Sequence, residues 1–183
     1  MKKKLGTLIA LGVVAVVALA IIVLYFMPVS YMPALSQPSH MIVYKSSSQS
    51  ATFSPSDEKY NDIWGEYQNS FKQNMLSAIF AGQTSGIQNQ TSSGELKTTK
   101  NAPSFSTKLV FNYDTAQKIV VGGHAQNVLI DQVQIEITDG VGYSDAKVYF
   151  RQVVEVGAQV TYYYMTTLAN QSSLYETISS LNI

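Results

Sequence analysis

The chain of 183 residues has no cysteine, one tryptophan, two histidines and five prolines, and only 13% of its positions are charged. Each scarcity closes off a class of chemistry. Without cysteine there is no disulfide framework, no thiol nucleophile and no site for a lipid-modified cysteine, so a folded domain must be held by packing alone. The histidines, His40 and His124, are far apart in sequence, and no stretch has a metal-ligand spacing such as HExxH; no metal and no cofactor are expected. Three of the 12 basic residues are Lys2, Lys3 and Lys4, which leaves nine basic against 12 acidic residues over the rest of the chain, a net charge of −3. A surface of that sign argues against nucleic acid as a partner, because phosphate neutralisation needs a basic patch.

What the chain does have is one long apolar run. Leu5 to Met27, LGTLIALGVVAVVALAIIVLYFM, is 23 residues without a charge. At about 1.5 Å per helical residue it reaches roughly 34 Å, enough for the roughly 30 Å hydrocarbon core of a bilayer. Residues 5–27 therefore read as a transmembrane helix. A cleaved secretory signal is the alternative, but cutting after Ala18-Leu19-Ala20 would leave IIVLYFM as the new terminus. Lysines 2–4 precede the run and the next basic residue is Lys45, so the positive-inside bias expects residues 1–4 as a cytoplasmic tip and the rest outside the membrane. Gly6 and Ala10 form a small-xxx-small pair, which suggests a weak homodimer through the membrane helix. The low charge, with abundant Ser, Thr, Gln, Asn and Tyr, resembles the composition of Gram-positive surface proteins.

Prolines 28, 33 and 38 predict an extended spacer over 28–39, which at about 3.1 Å per residue would hold a domain up to roughly 35 Å from the membrane. Residues 40–183 then form the extracytoplasmic domain. Met41 to Tyr44 reads as an edge strand and KSSSQSATF as a loop. Ser54-Pro55-Ser56-Asp57 has an N-cap serine, a proline at the first helical position and a carboxylate at the third. It opens a predicted amphipathic helix with Tyr60, Ile63, Trp64, Tyr67, Phe71, Met75 and Ala78 on one stripe, ending at Gly82. Leu76 and Phe80 fall on the polar side of that helix and need a cover, either the loop that follows or another molecule. Residues 83–104 form a polar, turn-rich loop expected to be disordered.

Beyond it the period changes to two. Phe105 to Tyr113, Ile119 to Val121 after a turn at Asp114-Thr115-Ala116, Val133 to Ile137, Val148 to Val156, and Val160 to Leu168 read as strands. A three-residue turn at Val156-Gly157-Ala158 would pair Tyr149 with Met165 and Arg151 with Tyr163 on the outer face. That places a cation, two aromatics and a soft apolar side chain together, the residue types of interface centres. Ser173 to Glu176 is a capping-box pattern opening a short last helix with Leu174, Tyr175, Ile178 and Leu181. The expected fold is α+β: an N-terminal transmembrane helix, then an antiparallel meander of about five strands packed on one long amphipathic helix and a short C-terminal helix. In order and length it resembles cystatin-like or NTF2-like folds in outline.

Other constellations read as structural. Ser56-Asp57-Glu58-Lys59 matches the S-x-x-K of penicillin-recognising enzymes, but neither SDN nor KTG accompanies it. Glu58, Asp62 and Glu66 are spaced as a solvated helix face, and Asp139 to Asp145 departs from the calcium-loop pattern. No catalytic residue is assigned and an enzyme is not expected. The expected role is a single-pass, membrane-anchored binding, accessory or sensing module of the cell envelope. Its partner would be an envelope protein or cell-wall polymer, reached through Tyr149, Arg151, Tyr163, Met165, Leu76 and Phe80. The alternatives are a small envelope hydrolase using His124 with an aspartate, and a pilin-like assembly subunit.

Overall fold

The computed structural model describes residues 2–46, 48–81, 87–90, 107–121, 126–138, 142–154 and 160–183. In chain order its elements are α1 (Lys2–Phe26), β1 (Pro28–Ser30), β2 (His40–Tyr44), β3 (Ser50–Phe53), α2 (Glu58–Ser70), β4 (Lys72–Asn74), α3 (Met75–Ala81), β5 (Gln88–Gln90), β6 (Thr107–Val121), β7 (Gln126–Ile137), β8 (Tyr143–Gln152), β9 (Tyr162–Asn170) and α4 (Gln171–Ser179). They fall into two units, Met1–Ser30 with Lys72–Gln83, and Tyr31–Phe71 with Thr84–Ile183.

The first unit is built on α1. Its stretch Ile9–Phe26 has a mean hydropathy of 3.0 and none of it is buried, so this helix is long and apolar enough to cross a membrane. The chain then turns extended at Pro28, where the ring removes a helix donor. β1 pairs antiparallel with β4, Pro28 opposite Asn74 and Ser30 opposite Lys72. The amide of Met75 donates to the carbonyl of Met27 at 2.8 Å, and α3 continues alongside α1. This corrects the single helix expected from Ser54 to Gly82. Its apolar stripe holds from Tyr60 to Phe71, all buried, but Lys72–Asn74 leaves the helix to form a strand. Asn74 then caps α3 by accepting from the Ser77 amide at 2.7 Å. Met75, Leu76 and Ala78 therefore belong to a different element from Tyr60 and Trp64.

The second unit is a seven-stranded antiparallel sheet in the order β3-β2-β6-β7-β8-β9-β5, with α2 and α4 adjacent to each other. The overall class is thus α+β, as the periodicity predicts. β2 is an internal strand rather than an edge, because Ser50–Phe53, expected as loop, adds β3 outside it. Within 83–104, Ile87 is buried and Gln88–Gln90 pairs with β9 as the opposite edge; the remainder of that stretch lies outside the described residues. Residues 31–39 are also not the free spacer that their prolines suggest. Tyr31 and Met32 are buried in the core, the Tyr31 amide donates to the Phe71 carbonyl at 2.8 Å, and the Tyr60 hydroxyl donates to the Pro38 carbonyl. Two apolar side chains and these hydrogen bonds outweigh the extended preference that prolines impose on a solvated chain.

The core forms where α2 meets β6. The Tyr67 ring lies 4.7 Å from Phe111 and 5.4 Å from Phe71, and Trp64 lies 5.4 Å from Phe111, mostly in edge or tilted contact. The helix begins one turn later than expected. Ser54-Pro55-Ser56 is a separate turn, closed by the Asp57 amide donating to the Ser54 carbonyl at 2.9 Å, in which the Ser54 amide donates to the Asp57 carboxylate at 2.6 Å. This hydrogen bond holds the Asp57 carboxyl below its ordinary pKa. At the other end of the unit α4 is capped by Asn170, not Ser173, whose hydroxyl instead donates to Glu66 at 2.6 Å. Leu174, Ile178 and Leu181 are buried, and the Lys45 ammonium donates to the Ser179 and Leu181 carbonyls at 2.7 and 2.6 Å, closing the helix C-terminus.

Two features of the ladder differ from the alternation read in sequence. Asp114-Thr115-Ala116 is no hairpin turn: β6 is one strand, and Tyr113 to Ala116 bulge out opposite Asp131 of β7. Asp131 is also unpaired with β8, so the buried positions of β7 switch from Val133, Ile135 and Ile137 to Val128 and Ile130 across it. The second is the register of β8 with β9. Val148 pairs with Met165, Tyr149 with Tyr164, Phe150 with Tyr163 and Arg151 with Tyr162. This is one residue from the pairing expected, and it turns Tyr163 and Met165 inward, 7% and 3% exposed. Both faces of β9 are apolar enough to be buried, so alternation alone does not choose between them.

The register makes a direct prediction. Met165→Ala should cost about 2–4 kcal/mol of stability and Leu168→Ala less than half as much, measured by urea unfolding. The reverse ranking would restore the other face of β9 to the core.

Candidate functional site

The face of the sheet opposite Leu109, Phe111, Ile135 and Phe150 collects the polar side chains of five strands, β2 and β6 to β9. Strand register sets them in rows. One row runs Ile42, Val110, Gln134, Tyr149, Tyr164; the next runs Tyr44, Lys108, Glu136, Lys147, Thr166; a third runs His40, Asn112, Gln132, Arg151, Tyr162. Residues two apart on a strand share a face, which is why these sets line up once the register is known.

The centre of this face is shielded from water. Lys108, Val110 and Gln134 are 8%, 5% and 8% exposed, while Glu136, Tyr149, Arg151, Tyr162 and Tyr164 around them are half-buried. An amide chain crosses it: Gln134 Nε2 donates to Gln132 Oε1 at 2.6 Å, and Gln132 Nε2 to Asn112 Oδ1 at 2.7 Å. Beside it, Arg151 Nε donates to Asp131 Oδ1 at 2.7 Å, so the bulge that displaces Asp131 also supplies the partner of the chain's one arginine.

Enclosure changes the titration of these groups. Burial pushes the Lys108 ammonium down to about 8, against the opposing pull of Glu136. Burial raises the Glu136 carboxyl, opposed by Lys147 and Lys108. The Tyr149 phenol is pushed up to about 12 by burial, by the Glu136 charge and by Tyr164. These shifts mark side chains held in one partly dehydrated, mutually coupled set, the environment in which binding and proton-transfer groups are found.

Of the residues singled out from the sequence, Tyr149 and Arg151 lie on this face together. Tyr163 and Met165 do not, since the register sends them to the core; Tyr164 and Tyr162 take their places beside Tyr149 and Arg151. The Tyr163 hydroxyl donates to Gln152 at 3.2 Å instead. Leu76 is half-buried in α3, in the other unit, and the side chain of Phe80 lies outside the described residues, as does His124. Two of the helical carboxylates are engaged by side chains, Asp62 by Lys59 one turn away and Glu66 by Ser173 of α4. Ser56 is likewise hydrogen-bonded to Ser54, at 2.8 Å between their hydroxyls. Among the described residues no group of three or more His, Cys, Asp or Glu is placed to hold a metal ion. Sequence reasoning passed over Lys108, Gln132, Gln134, Glu136 and Lys147 as ordinary solvent-side alternates. The signal available was that four successive strands place Lys, Glu, Gln and Tyr at those alternates. No family model, no curated protein and no solved structure matches this chain.

The depressed Lys108 has a thermodynamic consequence. Its folded pKa of about 8 lies below the ordinary 10.5, so in between the unfolded chain binds the extra proton and stability rises with pH. The gain, on the order of 3 kcal/mol, is lost as pH falls from 10.5 through about 8. The raised tyrosines act oppositely above about pH 10, because there the unfolded phenols ionise first. Comparing urea midpoints of the wild type and Lys108→Met from about pH 7 to about pH 10 isolates the lysine: the wild type should gain on the variant. Parallel curves would mean the ammonium is solvated.

Proposed function

We propose that this protein is a single-pass, membrane-anchored binding module of the cell envelope, with its domain on the extracytoplasmic side, and that its ligand is a polar, sugar-containing wall polymer. The observation that supports the reading best is the enclosed polar face, where amides, Lys108 and Glu136 are bordered by Tyr149, Tyr162 and Tyr164. Amide, ammonium and carboxylate groups exchange hydrogen bonds with hydroxyls in both directions, and tyrosine rings offer apolar surface to the C–H faces of sugar rings. A protein partner would draw more on an exposed apolar centre than this face supplies. Lysines 2–4 support the orientation through the positive-inside bias, and Gly6, which meets nothing within 4 Å, leaves room for helix pairing between two copies.

The hydrolase reading depends on His124 and gains nothing from the geometry of the sheet face. The pilin-like reading is disfavoured by the break at Pro28, since α1 ends at Phe26 and passes into β1 rather than into the domain.

The test uses the full chain in detergent micelles, sedimented with insoluble cell-wall polymer. Tyr164→Ala and Arg151→Ala should each weaken retention about tenfold or more, equivalent to about 1.4 kcal/mol, while Val120→Ala on the exposed end of β6 should leave it unchanged. Equal retention of all variants, or none of the wild type, sinks the polymer reading. A single protein crosslinked in cells through positions 149 and 164 would replace it with a protein partner.

A further inference from the structure

We propose that α3 is a second membrane contact, with Met75–Ala81 folding back against the exit end of α1 and resting in the apolar layer of the same bilayer. The inference rests on reading α1 as a membrane anchor and adds a site that the anchor alone does not imply.

The geometry begins with the β1/β4 pair. Lys72 lies opposite Ser30, Gln73 opposite Val29 and Asn74 opposite Pro28, so the chain in β4 advances toward the end of α1. The hydrogen bond from the Met75 amide to the Met27 carbonyl, 2.8 Å, places the start of α3 level with the last residue of the apolar run. From there α3 continues beside α1. Leu24, in the last turn of α1, is half-buried, whereas residues 9–23, Tyr25 and Phe26 are exposed.

Chemistry changes at the same point. Lys72-Gln73-Asn74 is polar, whereas Met75-Leu76-Ser77-Ala78-Ile79-Phe80-Ala81 has no charge and a single hydroxyl. A seven-residue helix is too short to persist in water by itself. In lipid it needs its first amides paired, and Asn74 supplies one acceptor at 2.7 Å to Ser77. At about 1.5 Å per residue it would reach about 10 Å, into the boundary of one leaflet and not across it. Leu76 and Ala78 are half-buried, so part of each is left for lipid. At this level Tyr25 and Phe26 of α1, with Met27 just beyond it, form exposed apolar surface of the kind lipid covers.

The absence of cysteine makes the test direct, because a single introduced thiol can be labelled without background. Full-length variants Leu76→Cys and Ala78→Cys are spin-labelled and reconstituted into phosphatidylcholine vesicles, with Val14→Cys in α1 as the lipid reference and Glu176→Cys on α4 as the aqueous one. Collision with oxygen, relative to a water-soluble nickel chelate, should be at least about fivefold higher at 76 and 78 than at 176 and approach the value at 14. Water-like values at 76 and 78 with a lipid-like value at 14 overturn the second contact and leave the anchor standing. A water-like value at 14 removes both. Emission of the buried Trp64 reports folding, and Ser77→Cys, at an exposed position of the same helix, gives the reading if Leu76→Cys does not fold.

Discussion

The pairing of Phe150 with Tyr163, and of Val148 with Met165, is the constraint on which the candidate face depends. A shift of one residue in a strand exchanges its two faces completely. β9 carries apolar side chains on both, so its orientation is set by which one packs better against the core that β6, β7 and α2 have already defined. With Met165 and Tyr163 inside, Tyr162 and Tyr164 are carried to the opposite face, and the aromatic border of the polar rows exists only because of that choice.

The bulge at Asp131 has a similar reach. An extra residue on β7 lets Val128 and Ile130 join Val133 and Ile135 in the core although their numbers differ in parity. The same displacement leaves the Asp131 carboxylate free of the ladder and within 2.7 Å of Arg151. A half-exposed pair of this kind contributes little to stability, about 0.2–1 kcal/mol. Its more definite effect is positional, since it holds the guanidinium at the side of the amide chain formed by Gln134, Gln132 and Asn112.

Folding and hydration pull against each other on this face. Lys108 and Glu136 would be easier to solvate at the rim, and burying them opposes folding, as the shifts in their titration record. The aromatic packing of Trp64, Tyr67 and Phe111 on the other face supplies the compensating burial. A sheet with a dry apolar face and a partly dehydrated polar face is consistent with a scaffold on one side and a binding surface on the other.

Much of this organisation was legible in the residues. The apolar run from Leu5 to Met27, the stripe from Tyr60 to Phe71, the alternation of β6 to β8 and the last short helix are local signals, written in periodicities of 3.6 and 2 that each segment satisfies by itself. The α+β class follows from their order. Where two local solutions had nearly equal merit, only tertiary contacts chose: the face of β9, the break at Lys72 that turns one helix into two, and the docking of Tyr31 and Met32. The polar rows could not be read beforehand because their members lie on different strands and meet only through register. By itself the sequence determined which segments are apolar and with what period; the tertiary structure decided which face each one shows, because a face is a property of the neighbours it packs against.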